Sequence, residues 1–181
     1  DYAKKRIYKE GLNDLVQIKV IDYRDIISKY DKIISIEMFE AVGEKYWPIF
    51  FKKLCDNIVD NGSIGMQIIS IKDDLFTSYK HNSDFIQKYI FPGGFLPSLH
   101  ALSKVISNNG LSMNIKKSFA KDYAITLSLW KESFLSNWET VPKEEYFTEN
   151  FKRMWDYYLS YCEAGFLSGS TDVHQIVLKK Q

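Results

Sequence analysis

Cysteine is nearly absent: Cys55 and Cys162 are the two thiols in 181 residues. Two thiols cannot build a disulfide framework or a multi-cysteine metal cluster. Both lie in apolar or aromatic stretches, so they read as reduced thiols of a cytosolic protein. Proline and glycine are scarce, at four and nine residues, which excludes collagen-like and low-complexity chains. An excess of one charge sign is also missing. The net charge is +1 and no Lys/Arg-dense stripe occurs, so no nucleic-acid partner is expected. No apolar run reaches the length of a membrane span, and no signal peptide is recognisable. What is plentiful is apolar: 45% of residues are hydrophobic and 15% are Phe, Trp or Tyr. That composition suits one domain with a sizeable core. It equally suits a deep apolar pocket or a surface that meets lipid.

The stretch from Asp31 to Trp47 organises the chain. Lys32 to Ile36 is a short apolar run, the mark of a buried parallel strand. Glu37 and Glu40 follow at its C-terminal end, then Gly43. A helix is expected from Glu44 to about Asp60, with Tyr46, Trp47, Phe50, Phe51, Leu54 and Ile58 at helical spacing. In open α/β sheets, ligands sit beyond the carboxyl ends of the strands, so an acid there is aimed at a ligand. A helix-start carboxylate interacting with the local dipole explains the same position equally well.

Upstream, Asp1 to about Gly11 reads as the tail of a helix ended by glycine, as if the chain were cut within it. Val16 to Ile21 alternates and is β-rich, which predicts a strand ended by Asp22-Tyr23-Arg24-Asp25. Asn61-Gly62 predicts a turn leading into a strand from Ser63 to Ile71. Strand–helix–strand alternation argues for a right-handed parallel α/β sheet. Asp73 to Ser83 is polar, an excursion over the top of the sheet. The run Phe85 to Phe91 leads into Pro92-Gly93-Gly94, a shaped loop near the strand ends. Ser98 caps a helix to about Ser107, stopped by Asn109-Gly110. Leu111–Phe119 is a strand, Tyr123 to about Trp138 a helix that Pro142 ends, Phe147–Phe166 another helix, and Val173–Lys179 the last strand. No repeat or linker divides residues 1–181, so a single domain is expected.

Several short motifs occur in a fixed order: Asp22-Tyr-Arg-Asp25, Ser35-Ile-Glu-Met-Phe-Glu-Ala-Val-Gly43, Lys88-Tyr-Ile-Phe-Pro-Gly-Gly-Phe-Leu-Pro-Ser98, Asp122-Tyr-Ala-Ile-Thr-Leu127 with Trp130, and Phe151-Lys-Arg-Met154 followed by Tyr157-Tyr-Leu159. Each is weak alone. As an ordered set they resemble the cyclopropane-fatty-acyl-phospholipid synthases, relatives of the mycolic acid cyclopropane synthases. The resemblance implies an S-adenosylmethionine methyltransferase (Rossmann-like) sheet, mostly parallel with an antiparallel final strand. It also implies that the strand and glycine-rich turn cradling the cofactor lie upstream of Asp1, together with a further active-site cysteine. No glycine-rich turn opens a helix in this sequence. The chain therefore resembles the C-terminal portion of the catalytic domain, expected to bind the cofactor poorly alone.

The chemistry implied by the resemblance joins the cis double bond of an unsaturated phospholipid acyl chain to the electrophilic methyl of S-adenosyl-L-methionine. A carbocation results, and a base removes a proton from the new methyl group before the ring closes. Such a site needs an apolar slot and aromatic faces for cationic species. The resemblance implies a bicarbonate as base, held by a glutamate, a histidine, a tyrosine and a backbone group. These positions match Glu40, Gln67, Tyr123 and Ile69. Gln67 is a departure, because an amide can donate to an anion but cannot carry charge or relay a proton as imidazole does. His81, His100 and His174 are taken as structural or exposed.

Tyr23, flanked by Asp22 and Arg24, matches the position near the cofactor's adenine. Tyr89, Phe91, Gly93, Gly94 and Tyr158 are expected to line the acyl slot, as could Phe151 and Trp155, whose commoner fate is helix packing. The resemblance further implies a cytoplasmic enzyme, peripheral to the inner membrane, and leaves homodimerisation open. Two other readings stand beside it. One is a small-molecule amine methyltransferase of the same fold; the other is a folded remnant without catalysis.

Overall fold

Along Ile64 to Ser70 every second residue is buried, with Ile64, Met66, Ile68 and Ser70 on one face and Gly65, Gln67 and Ile69 half-buried on the other. A strand with both faces this well covered belongs between two layers of helix. The computed structural model, which describes residues 1–141 and 146–181, has that arrangement. Its strands are β1 (Tyr30–Ile36), β2 (Ile58–Ile71), β3 (Leu111–Ser118) and β4 (Thr171–Lys180). Its helices are α1 (Tyr2–Lys9), α2 (Trp47–Asn57), α3 (Asp73–His81), α4 (Leu99–Asn108), α5 (Ala120–Asn137) and α6 (Glu149–Leu167).

The sheet order is β1-β2-β4-β3. β1 and β2 are parallel, while β4 runs antiparallel to both β2 and β3. Three strands thus share one direction and the final strand is reversed, as expected. On one face, Trp47, Phe50 and Phe51 of α2 and Leu102 and Ile106 of α4 cover Ile64, Met66, Ile68, Ile176 and Leu178. On the other, Ala124 and Leu127 of α5 and Leu159 and Phe166 of α6 enclose Val173, with Ile69 packed alongside.

Local signals hold where they are self-sufficient. The Ser98 hydroxyl accepts from the Ala101 N–H at 3.3 Å and starts α4, as its cap chemistry predicts. Four expectations are corrected. Val16–Ile21 forms no strand: among the described residues nothing pairs with it, and Val20 is fully exposed. β propensity without a ladder partner leaves backbone groups to water. Asn61-Gly62 is no turn but lies inside β2, where the ladder shifts register between Tyr30 and Lys32. A side chain at Gly62 would come within 2.9 Å of the Asp31 carbonyl, so glycine is needed for close approach. The helix expected over Glu44–Asp60 is a 3₁₀ turn at Glu44–Tyr46 followed by α2, which stops at Asn57. Asp73–Ser83, read as an excursion, carries α3. Pro142, expected to end a helix, lies outside the described residues. No helix among the described residues is long and apolar enough to cross a membrane.

Candidate active site

β1 stops opposite Gln67, so the N–H groups further along that edge of β2 have lost their strand partner. The chain supplies one from the following turn. Glu40 sits in a 3₁₀ turn at Phe39–Ala41 anchored by the fully buried Phe39, and its Oε1 accepts from the Ile69 N–H at 2.7 Å. Glu40 is therefore not a helix-start carboxylate, because its bond goes to β2. Its Oε2 is buried without a hydrogen-bond partner. Burial pushes the Glu40 carboxyl above the usual glutamate range; the Ile69 N–H draws it back, and the charge of Glu37 adds to the rise.

Glu37 follows β1 with φ +48°. That left-handed conformation costs a non-glycine residue on the order of 1–3 kcal/mol. Its N–H still donates to the Gln67 carbonyl at 2.9 Å. Its carboxylate gathers two side chains: Oε1 accepts from Gln67 Nε2 at 2.7 Å, and Oε2 accepts from the Tyr123 hydroxyl at 3.1 Å. Gln67 Oε1 accepts from Nε2 of Gln175, its partner across the β2–β4 ladder, at 3.1 Å. The amide of Gln67 is thus used at both ends, donating toward Glu37. Tyr123 enters from the first turn of α5. Burial first, then the Glu37 charge and hydrogen bond, hold its phenol well above the usual tyrosine value, so it stays a donor.

The Pro92-Gly93-Gly94 loop closes over this turn. Phe95 N–H donates to the Glu40 carbonyl at 2.8 Å, and Gln87 Nε2 donates to the Gly94 carbonyl at 3.2 Å. Gly93 has φ +85°, open to glycine at no steric cost. Aromatic rings wall the α5–α6 side: Tyr123 lies 4.8 Å from Phe166, and Phe91 meets Tyr158 edge-on at 6.2 Å. The Tyr158 phenol is pushed up to about 12, by burial first and by Cys162 next. Phe151 and Trp155 stack on each other at 5.2 Å, within the α6 aromatic packing.

The remaining expected residues lie elsewhere. Tyr23 packs edge-on against Phe50 at 5.4 Å and lines a cavity of about 290 Å³ with Tyr30, Ile33, Ile34 and Met38. Asp22 accepts from the backbone and guanidinium of Arg24, which holds its carboxyl down to about 2. Tyr89 is 64% exposed and borders an open depression of about 680 Å³ with Phe85, Arg153 and Tyr157. Neither Glu40 nor Tyr123 lines either cavity. No group of three metal-ligating side chains occurs among the described residues.

Residues 1–176 match the family described as mycolic acid cyclopropane synthetase. The chain belongs to that family. It is 38% identical over 180 residues to the tuberculostearic acid methyltransferase UfaA1 of Mycobacterium tuberculosis, covering 99% of this chain and 42% of that protein. It is 36% identical over 173 residues to the cyclopropane-fatty-acyl-phospholipid synthase of Escherichia coli, covering 94% of this chain and 42% of that one. The chain thus spans less than half the length of these relatives. In fold it matches the cyclopropane synthase MmaA2 of Mycobacterium tuberculosis with TM-score 0.80 and 21% identity, over 97% of this chain and 66% of that chain. The cyclopropane synthase CmaA1, solved with S-adenosylhomocysteine, matches with TM-score 0.78 and 22% identity, over 98% of this chain and 67% of that one. The sheet is that of the S-adenosylmethionine-dependent methyltransferases.

Tyr23 and Met38 border a cavity beside β1, and the Asp22–Arg24 pair flanks Tyr23. Sequence reasoning selected Glu40, Tyr123, Gln67 and Ile69, left Glu37 as one of two strand-end acids without a specific role, and missed Gln175. The position of Glu37 at a strand end was visible; its left-handed backbone was not.

Proposed function

We propose that the complete protein containing this chain transfers the methyl carbon of S-adenosyl-L-methionine to the cis double bond of unsaturated phospholipid acyl chains. It acts from the cytoplasm at the surface of the inner membrane. The observation that carries the reading is the pair of carboxylates at the end of β1. Glu40 is bound to the Ile69 N–H, and Glu37 to Tyr123 and Gln67, beneath an aromatic wall. When bound, S-adenosyl-L-methionine supplies the electrophilic methyl carbon. This chain's part is to hold an acceptor of protons and to present aromatic faces to a developing cation. The names of the relatives support a lipid substrate. The exposed rings of Tyr89 and Phe91 suit contact with acyl chains. Dimerisation is compatible with this reading and is not needed by it.

The test uses the complete gene product, labelled cofactor and unsaturated phospholipid vesicles, with acyl chains analysed by mass spectrometry. A gain of one methylene unit per modified chain is expected. Absence of any lipid product alongside methylated amines overturns the reading in favour of a small-molecule methyltransferase. We also propose that residues 1–181 alone bind the cofactor weakly. Ile34 and Ile36 on the outer strand are 69% and 58% exposed, which leaves that flank of the site open. Calorimetry with S-adenosylhomocysteine checks this, and tight binding would contradict it.

A further inference from the structure

The bicarbonate implied by the resemblance does not fit these residues. Its donors would be the Gln67 amide, the Tyr123 hydroxyl and the Ile69 N–H. All three are already engaged by carboxylates of this chain: Gln67 and Tyr123 by Glu37, and Ile69 by Glu40. An added anion would have to displace Glu37 from both donors and then lie beside its carboxylate. Neither Glu37 nor Glu40 ion-pairs with a Lys, Arg or His among the described residues. A like charge so placed disfavours a second. The amide at position 67 completes the argument, because it brings no positive charge to offset one.

We propose that Glu37 is itself the base, a carboxylate of the protein standing where a bound anion would otherwise be needed. Three observations meet at this residue. Its backbone is held left-handed, a strain that aims one particular side chain. Both carboxylate oxygens are fixed by donors, one from β2 and one from α5. Gln67 Oε1 accepts from Gln175, an arrangement that directs the Gln67 amide N–H toward Glu37. A carboxylate has about four lone-pair sites, so one donor on each oxygen leaves room to accept a proton.

The step balances within the reaction proposed above, on which this inference rests. The alkene electron pair forms the new C–C bond to the methyl carbon as the S–CH₃ bond breaks, its electrons staying on sulfur. The positive charge moves to the neighbouring acyl carbon. Glu37 then takes one proton from the transferred methyl group. The released C–H pair either closes the ring or forms an exocyclic double bond. Glu37 is left protonated and returns its proton to water.

The experiment measures lipid modification by the complete wild-type enzyme in carbon dioxide-depleted buffer and again with added bicarbonate. A rate unchanged within about twofold is expected. A drop of tenfold or more that bicarbonate restores overturns the inference. In parallel, Glu37→Gln should lower the turnover by about 100-fold or more, the range of a lost general base. Added bicarbonate should restore part of the rate of Glu37→Ala, which vacates the Gln67 and Tyr123 donors, a rescue that a merely structural role of Glu37 would not show. Turnover of Glu37→Gln within threefold of wild type also overturns it. Should that variant fail to fold, the wild-type bicarbonate dependence decides alone. If wild type makes no lipid product at all, the proposed reaction has failed; if it makes product but needs bicarbonate, only the assignment of Glu37 has failed.

Discussion

The Tyr123 hydroxyl donates to Glu37 Oε2 across 86 positions of sequence, at 3.1 Å. That bond ties the first turn of α5 to the end of β1 and makes Glu37 the meeting point of both halves of the site. Tyr123 and Glu40 thus bond different partners, Glu37 and the Ile69 N–H, at the ends of β1 and β2.

Removing the Tyr123 hydroxyl should therefore act through Glu37. Tyr123→Phe takes away one hydrogen bond to a charged group, worth about 1.5–3 kcal/mol when buried. We expect a turnover loss between about tenfold and 100-fold, with KM for lipid changed less than kcat. Steady-state kinetics on the complete enzyme reads the split. A change confined to KM would place Tyr123 in substrate binding instead.

Glu40→Gln separates stability from catalysis. The amide oxygen can still accept from the Ile69 N–H, so the fold should survive. Because burial raises the Glu40 pKa, the protonated form is the one the folded state favours. Its stabilising contribution is complete below the ordinary value of 4.5 and is lost as pH rises through the raised one. The variant should match wild type at acid pH and equal or exceed it near neutrality, as urea titrations at several pH values would show. Activity should fall by less than roughly tenfold, about 1.4 kcal/mol of barrier, because Glu37 and not Glu40 takes the proton; a loss of orders of magnitude would move the base to Glu40.

His174 should make stability fall in mild acid. It is buried between two hydroxyls, with Nε2 2.8 Å from Ser70 and Nδ1 2.7 Å from Ser118. Desolvation lowers its pKa, and the charge of Asp172 opposes this only in part. A histidine with a depressed folded pKa contributes stability that is present above 6.5 and is lost as pH falls through the folded value. Denaturation midpoints at pH 8 and pH 5 should differ for wild type, and less so for His174→Gln.

Gly94→Ala should loosen the loop over Glu40. An added Cβ would lie 3.0 Å from the Phe91 carbonyl and 3.3 Å from its Cβ. The loop must shift, and the bond from Phe95 N–H to the Glu40 carbonyl goes with it. A stability loss of about 1–3 kcal/mol is expected, the cost of overpacking. Thermal denaturation measures it, and an unchanged midpoint would show that the loop adjusts freely.

Some of this was legible because it is local. Ser98 caps α4 by reaching three residues along, and Gly11 ends α1 with φ +67°; both depend on residues nearby in sequence. The order of elements followed from hydrophobic period, whereas the choice of Glu40 and Tyr123 as site residues followed from the family resemblance. Val16–Ile21 shows the limit. Its alternation is that of a strand, yet a strand exists only where another backbone accepts its hydrogen bonds. Asn61-Gly62 failed for a related reason: the dipeptide signals a turn, but the bulge against β1 absorbs it.

By itself the sequence determined the α/β alternation, the Pro-Gly-Gly loop and the residue types at the strand ends, because each depends on periodicity, caps or turn chemistry. The reversed last strand was implied by the family resemblance of the ordered motifs. Tertiary structure alone decided which groups each carboxylate bonds. Glu37 and Glu40 differ by three positions, but one faces donors from β2 and α5 while the other replaces a lost strand neighbour. That division rests on the backbone angle at residue 37 and on pairing across the β2–β4 ladder, and neither is written in any short stretch of chain.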